Sequence, residues 1–322
     1  MHVDLLVLNY NGRRLLAECL PTVLRAAEQS RHRCRVTVVD NNSTDDSLEW
    51  LGRHWPDVRV VRRPNRGLCS FNDILSTLEG PVAVLLNNDI KLDPASIDPL
   101  VEPLIAEPDC FMTAPRCWLF DGATYEGFRT AVTWRWGLVQ ATALFPGHES
   151  GVEQPGLTAS AGAAMAVDVR RFVELGGFDP IYLPGRLEDL DFAFRGYQSG
   201  GYARYVPESV AYHRGAATFG RVHGDGGCMR LALRNTLLFQ WKNLRHPRHI
   251  ARQMLGLPLR LARDLFLAPT VPAERRWMFA RALRDALARV YQLRRSNHRR
   301  CGSIMEERAF FRRFAPVAMR RV

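Results

Sequence analysis

Four short runs rich in apolar residues open the chain: VDLLVLNY (3–10), RVTVVD (35–40), VRVVRR (58–63) and PVAVLLNND (81–89). Continuous rather than alternating hydrophobicity marks strands covered on both faces, as in a parallel sheet. Between these runs the apolar period lengthens to that of helices over 13–29, 44–54 and 69–79. Ser43 and Asp46 have the spacing of a capping box for the second helix. Strands alternating with helices in this way predict βαβ units and an α/β fold with a mainly parallel sheet. From 111 to 165 the pattern loosens into aromatic, Gly-rich stretches such as TYEGFRTAVTWRWGLV, read as irregular strands and loops. Order returns with ASAGAAMAVDVRRFVELGGFD (159–179), a small-residue loop and then a short helix that Gly176 and Gly177 would end. GRLEDLDFAFRGYQSGG (185–201) predicts a helix that starts with three acids. From about 226 the pattern is helical and Arg-rich, divided by Pro247, Pro258, Pro269 and Pro272. There Leu283, Leu287 and Val290 share a face at i, i+4, i+7.

With 322 residues, 47% of them hydrophobic, the chain can bury a sizeable core without staples. Its organisation reads as a body, 1–225, and a basic helical extension, 226–322. Seven cysteines, including Cys301, form no CxxC pair and are odd in number, which argues against a disulfide framework or a zinc ribbon. The opening MHVDLLVLNYNG lacks the basic-then-apolar order of a signal peptide, and no apolar run reaches the roughly 20 residues of a membrane span. The expectation is a cytoplasmic protein with membrane contact, if any, peripheral at the inner face.

Charge is unevenly distributed. Residues 226–322 hold 22 Lys and Arg against 5 Asp and Glu, a net +17, while 1–225 hold 22 against 28, a net −6. Three accounts fit the basic extension: attachment to anionic lipid headgroups, nucleic-acid binding, or packing against the acidic body with Arg solvated outside, alone or in a homodimer. No RRM, helix-turn-helix or zinc-finger pattern accompanies the charge, so no nucleic-acid partner is expected.

In open α/β sheets ligands bind beyond the carboxyl ends of the strands. Three polar clusters fall there: Asn9 to Gly12, Asp40 to Asp45, and Asn87 to Asp89. No GxGxxG follows the first strand and no GxxxxGK[ST] occurs, so dinucleotide-dependent dehydrogenases and P-loop enzymes lack their phosphate cradle. Carboxylates and carboxamides instead suit a sugar, a ribose, a base edge or a divalent cation. Each also has a plainer role: Asp40 in an Asx turn, Asp89 as a turn former, Glu188 and Asp189 as acids favoured in a helix's first turn.

Six stretches, VLNYNG, VVDNNSTDDS, PNRGLCSFND, LLNNDIKLDP, GGFDPIYLPGRLEDLDFAFR and AYHRG, resemble in order and spacing the family 2 glycosyltransferases with a GT-A fold. The resemblance is to the branch that includes bacterial rhamnosyltransferases and related cell-envelope enzymes, and it covers 2–216. It implies a GT-A domain that moves a sugar from a nucleotide-diphosphate donor, a dTDP- or UDP-sugar, to a hydroxyl of a glycan or lipid-linked acceptor. It implies that Asn9, Tyr10, Asn11 and Asp40 hold the nucleotide, beside an Asn-x-Gly loop of Asn65, Gly67 and Asn72 in which Phe71 replaces a small residue. Asn87-Asn88-Asp89 matches the metal motif, with Asn87 and Asn88 beside the donor and Asp89 on Mg²⁺ or Mn²⁺. His213 matches a histidine that completes the metal site or contacts the diphosphate. In the Glu188-Asp189 pair, Asp189 matches the general base of a single, inverting displacement. Asp191 is a secondary acid near the acceptor, able to pair with Arg195, and Gly162, Ala163 and Ala164 match the small-residue loop that makes room for the acceptor. Trp134 and Trp136 are candidates to stack on it. The alternative is a non-catalytic nucleotide-sugar or glycan-binding module of the same fold, which would not need the base.

Overall fold

The computed structural model describes residues 1–215, 217–267, 271–272, 275–295 and 304–319. Pro269 and Cys301 lie outside the described residues. The first half follows the apolar runs: β1 (His2–Asn9), α1 (Arg13–Gln29), β2 (Arg33–Asp40), α2 (Ser47–His54), β3 (Arg59–Arg62), α3 (Ser70–Leu75) and β4 (Val82–Asn87). β1 pairs in parallel with both β2 and β4, and β2 with β3, so the carboxyl ends of these strands lie along one rim. Val3, Leu5, Leu6, Val84 and Leu85 are buried, as strands covered on both faces require. The third helix is shorter than its period predicts, because tight turns from Thr77 to Ile74 and from Leu78 to Leu75 close it.

The capping box does not form. α2 begins at Ser47, whose N–H and hydroxyl both donate to Asp45, while Ser43 turns away toward the loop after β1.

The second half continues with β5 (Ile90–Leu92), α4 (Ile97–Ala106), β6 (Cys110–Leu119), β7 (Tyr125–Gly127), β8 (Ala131–Arg135), β9 (Leu138–Thr142), β10 (Gly156–Leu157), β11 (Ala164–Asp168), α5 (Val169–Glu174), α6 (Glu188–Gln198) and β12 (Tyr202–His213). The main sheet has the order β10-β12-β6-β11-β4-β1-β2-β3, with β5 on β12 and β7 on β6, and β8–β9 form a separate ribbon. β6 lies deep in the sheet although its sequence lacks a continuous apolar run. Pro115 offers no N–H to the ladder, and β12 shifts register opposite it, between Val206 and Val210. Gly176 and Gly177, at φ 81° and 64°, end α5 as expected. Phe111, Phe172, Phe178 and Phe192 then pack α5 and α6 against the sheet.

The basic extension forms α7 (Ala217–Asn243), broken at Gly224, then α8 (Pro247–Leu267), α9 (Met278–Leu287), α10 (Val290–Arg295), α11 (Ile304–Arg313) and α12 (Pro316–Met319). It returns to the body, where Phe239, Phe310 and Phe314 meet Phe194 and Tyr197 of α6. The face expected from Leu283, Leu287 and Val290 is not the buried one. α9 buries Met278, Phe279, Ala282 and Ala286, whose small alanines allow close approach to its neighbours, and Leu287 is 56% exposed. Among the described residues no helix is long and apolar enough to cross a membrane.

Candidate active site

A cleft of about 520 Å³ opens at the carboxyl ends of β1 and β4 and runs to the N-terminus of α6. At its strand side three buried residues brace three strand ends. Asn9 donates to Asp40 (3.2 Å) and to Ser43 Oγ (3.1 Å) and accepts from Asn88 Nδ2 (2.8 Å). The other Asp40 oxygen accepts the Ser43 N–H at 3.0 Å. Asn11 takes a left-handed φ of 46° and accepts the Thr44 N–H, locking the two loops together. Gly12 has no room for a side chain, since a Cβ there would stand 1.9 Å from Asn88 Nδ2.

Tyr10, Asn41, Asn65, Gly67, Asn87 and Asn88 face the cleft itself. Asn41 was not singled out from the sequence, yet its side-chain oxygen is buried and without a partner while its amide donates to Gly67 O. That free acceptor suits an N–H of a bound base.

At the cleft's centre, the antiparallel pairing of His213 with Ile90 brings β12 against the turn that carries Asp89. His213 Nε2 lies 3.4 Å from Asp89 Oδ2, and its Nδ1 lies 2.7 Å from both oxygens of Glu126 on β7. Burial alone would lower the imidazole's pKa, but hydrogen bonds and charge from Asp89 and Glu126 overturn this and raise it to about 9. Asp89 Oδ1 is buried with no partner. Among the described residues no group of three or more His, Cys, Asp or Glu side chains forms a metal cage. Asp89 and His213 instead make a two-ligand half-site, which fits a hard cation that takes its remaining oxygens from phosphate and water. At neutral pH the ring carries protons on both nitrogens: Glu126 holds Nδ1–H, Nε2–H points at Asp89, and a cation would have to displace the Nε2 proton to use that nitrogen.

At the far end, α6 places its first turn in the cleft. Asp189 Oδ2 accepts from Ser160 Oγ at 2.8 Å and from the Gly162 N–H at 2.9 Å. Glu188 is buried, and burial, with Asp189's charge beside it, raises its pKa to about 8. The preceding loop is held in left-handed backbone at Arg186 and Leu187, φ 84° and 73°. It is pinned from α7, where Asn235 donates to the carbonyls of Tyr182, Gly185 and Arg186 at 2.7 to 2.9 Å.

The family model for glycosyl transferase family 2 matches residues 4–147, which carry the ends of β1, β2 and β4 and the Asp89 turn. The match covers just under half of the chain, and over it the chain carries a glycosyl transferase family 2 domain. A putative polypeptide N-acetylgalactosaminyltransferase 10 of Drosophila melanogaster is 24% identical over 209 residues, 60% of this chain and 32% of that protein. The chain spans about a third of the length of the curated relatives it matches. Among solved structures, GalNAc-T7 with UDP, GalNAc and Mn²⁺ aligns with a TM-score of 0.56 and 18% identity, over 93% of this chain and 58% of that one. The mannosyltransferase PcManGT from Pyrobaculum calidifontis, in complex with GDP-Man and Mn²⁺, aligns with a TM-score of 0.52 and 19% identity, over 91% and 82%. These likenesses establish the GT-A fold.

Around this cleft the structure separates the candidate residues. Tyr10, Asn65, Gly67, Asn87, Asn88, Asp89, Gly162, Ala163, Glu188, Asp189 and His213 line one cleft. Asn9 and Asp40 are wholly buried and consumed in bracing, and Asn72 bonds the backbone of Phe178 at 2.8 and 2.9 Å rather than facing the cleft. Asp191 does not reach an acceptor: it is fully buried and accepts from Lys242, Arg195, Tyr182 and Asn243. Burial would raise its pKa, but the Lys242 and Arg195 cations hold it well below the carboxylate range. Trp134 stacks between His249 and Phe311, inside the packing of the extension, and Trp136 remains 53% exposed. Glu126 had no signal in the sequence, because a lone acid in a loosely patterned stretch reads as surface.

Proposed function

We propose that the protein is an inverting glycosyltransferase that moves a sugar from a nucleoside-diphosphate donor to an acceptor hydroxyl. The observation that carries this reading is that an oriented carboxylate, Asp189, and the Asp89–His213 half-site line the same cleft. The nucleoside lies along Tyr10, Asn41 and Asn65, and the diphosphate is directed toward Asp89. Asp89 and His213 would hold Mg²⁺ or Mn²⁺, which supplies positive charge against the departing diphosphate. Mn²⁺ accompanies both GalNAc-T7 and the mannosyltransferase in their solved structures.

Asp189 takes the proton of the acceptor hydroxyl as that oxygen attacks the anomeric carbon from the side opposite the leaving diphosphate. Ser160 and the Gly162 N–H fix one carboxylate oxygen and leave the other for the acceptor. Glu188, protonated up to about pH 8, places no second negative charge beside it. One displacement without a covalent intermediate inverts the centre. Gly162 lets the Phe128 ring pack directly against this loop, since a Cβ there would stand 2.2 Å from it.

The donor sugar we favour is dTDP-rhamnose or a UDP-sugar, and the acceptor a glycan or lipid-linked intermediate of cell-envelope polysaccharide, on the strength of the motif resemblance. The test is a thermal-shift screen of UDP-, dTDP- and GDP-sugars with Mn²⁺ or Mg²⁺, followed by donor turnover in wild type and Asp189→Asn. A ligand at about 100 times its Kd adds roughly 2.7 kcal/mol of stability. Asp189→Asn should keep that shift and lose turnover; turnover that survives removes Asp189 as the base.

A further inference from the structure

α8 is built inside out. The side facing the protein carries Gln253, Gly256 and Arg260, all buried, together with the half-buried Asp264. Arg260 donates to the carbonyls of Trp136 (2.8 Å) and Arg135 (2.6 Å), and Asp264 accepts the Ala280 N–H of α9 at 2.9 Å. Gly256 sets the approach to the β8–β9 turn, because a Cβ there would stand 2.5 Å from both Gly137 Cα and Trp136 O.

The outward side is apolar. Ile250, Met254, Leu255, Leu259, Leu265 and Phe266 are exposed, Leu255 at 70% and Phe266 at 76%. At 100° per residue all but Ile250, which lies at the edge, fall on the half of the helix opposite Gln253, Gly256 and Arg260. Exposed Arg263 lies on the flank of this stripe, and exposed Arg248 lies at its N-terminal end. Among the described residues nothing requires the stripe, since the helix is held on by its polar side.

We propose that α8 docks the protein on an anionic lipid surface, lying in the headgroup layer with its apolar stripe toward the acyl chains. An amphipathic helix with a basic flank and large apolar residues opposite its polar side is the form that binds such an interface without spanning it. The partner's sign follows from charge: the extension carries a net +17, and each Lys or Arg near an anionic surface contributes about 1 kcal/mol. A second copy would bring the same +17 segment against itself, which charge repulsion opposes.

The test uses the full chain in flotation with vesicles of phosphatidylcholine alone and of phosphatidylcholine mixed with phosphatidylglycerol. Wild type should float with the anionic vesicles and more weakly with the neutral ones. Leu255→Glu with Phe266→Glu should weaken binding roughly 10- to 100-fold per residue, the worth of burying such a side chain. Arg248→Gln with Arg263→Gln should weaken it by about 30-fold on anionic vesicles only. Circular dichroism and the thermal midpoint should be unchanged in both variants, since all four side chains are exposed. Absence of flotation, equal binding to both vesicles, or full binding by the Leu255/Phe266 variant overturns the proposal. So does a solution dimer that this variant dissociates, which would give the face to a second copy. None of these outcomes depends on donor turnover.

Discussion

The strand ends of the body and the outer face of α8 depart from ordinary burial in opposite directions. At the ends of β1, β2 and β4, polar side chains sit in a buried setting, whereas on α8 large apolar ones stand in water and the polar ones turn inward. Folding alone favours neither, so each marks a place where something other than the core selected the residues. The two regions also show how to sort such residues. Asn9 and Asp40 are polar and buried but fully partnered, and their work ends inside the chain. Asp89 Oδ1 and the Asn41 side-chain oxygen are buried and unpartnered, on residues that line the cleft, as groups kept for a ligand are. On α8 the corresponding sign is apolar area with no protein against it.

Substitutions can break this contrast, beginning where the effect is largest. Asp189→Asn should lower transfer about 10³-fold with donor affinity retained, measured by product formation and nucleotide thermal shift. Lys242→Met should cost about 3–5 kcal/mol in urea unfolding, because it leaves Asp191 and Asp179 short of a buried cation. Glu188 gives a pH signature. Its folded pKa of about 8 exceeds the ordinary 4.5, so the folded chain holds a proton that the unfolded chain has released. The stabilisation is present below 4.5 and lost as pH rises through 8, on the order of a few kcal/mol. Glu188→Gln should flatten that slope between pH 5 and 8 in thermal unfolding.

Glu126→Gln should reduce Mn²⁺ affinity about tenfold by electron paramagnetic resonance, with metal-free nucleotide binding unchanged. The smallest effect belongs to α8. Leu255→Glu should leave unfolding stability within about 0.5 kcal/mol, because the stripe adds nothing to the core.

What was legible in the sequence follows from how local each signal is. β1 to β4 announce themselves because strands covered on both faces need unbroken apolar runs. β6 does not, since Pro115 and Arg116 interrupt a strand whose partner absorbs the defect by a register shift. Asp89, Asp189 and His213 were legible as motif positions, and they share one cleft. Asp191 carries the same chemistry two residues from Asp189, but its fate is decided by Lys242, 51 positions further on, which no local pattern reveals. Asn72 and Asp40 differ from Asn65 and Asn88 in the same way: the residue type suggests a ligand, and the tertiary partner decides. Ser43 shows a spacing overruled by a stronger use, because bonding the β1 loop outweighs starting a helix.

The carbonyls held by Asn235 carry a consequence for how the gene can be dissected. The loop that presents Glu188 and Asp189 is clasped from α7, and Arg234 adds a 2.6 Å bond to the Leu183 carbonyl. Cutting the chain at 225 would therefore unclasp the proposed base along with removing the basic helices. A fragment of this kind would be catalytically dead for a mechanical reason, and its silence would say nothing about lipid. Point changes on the outer stripe of α8 leave the clasp whole, and they are the cleaner scalpel.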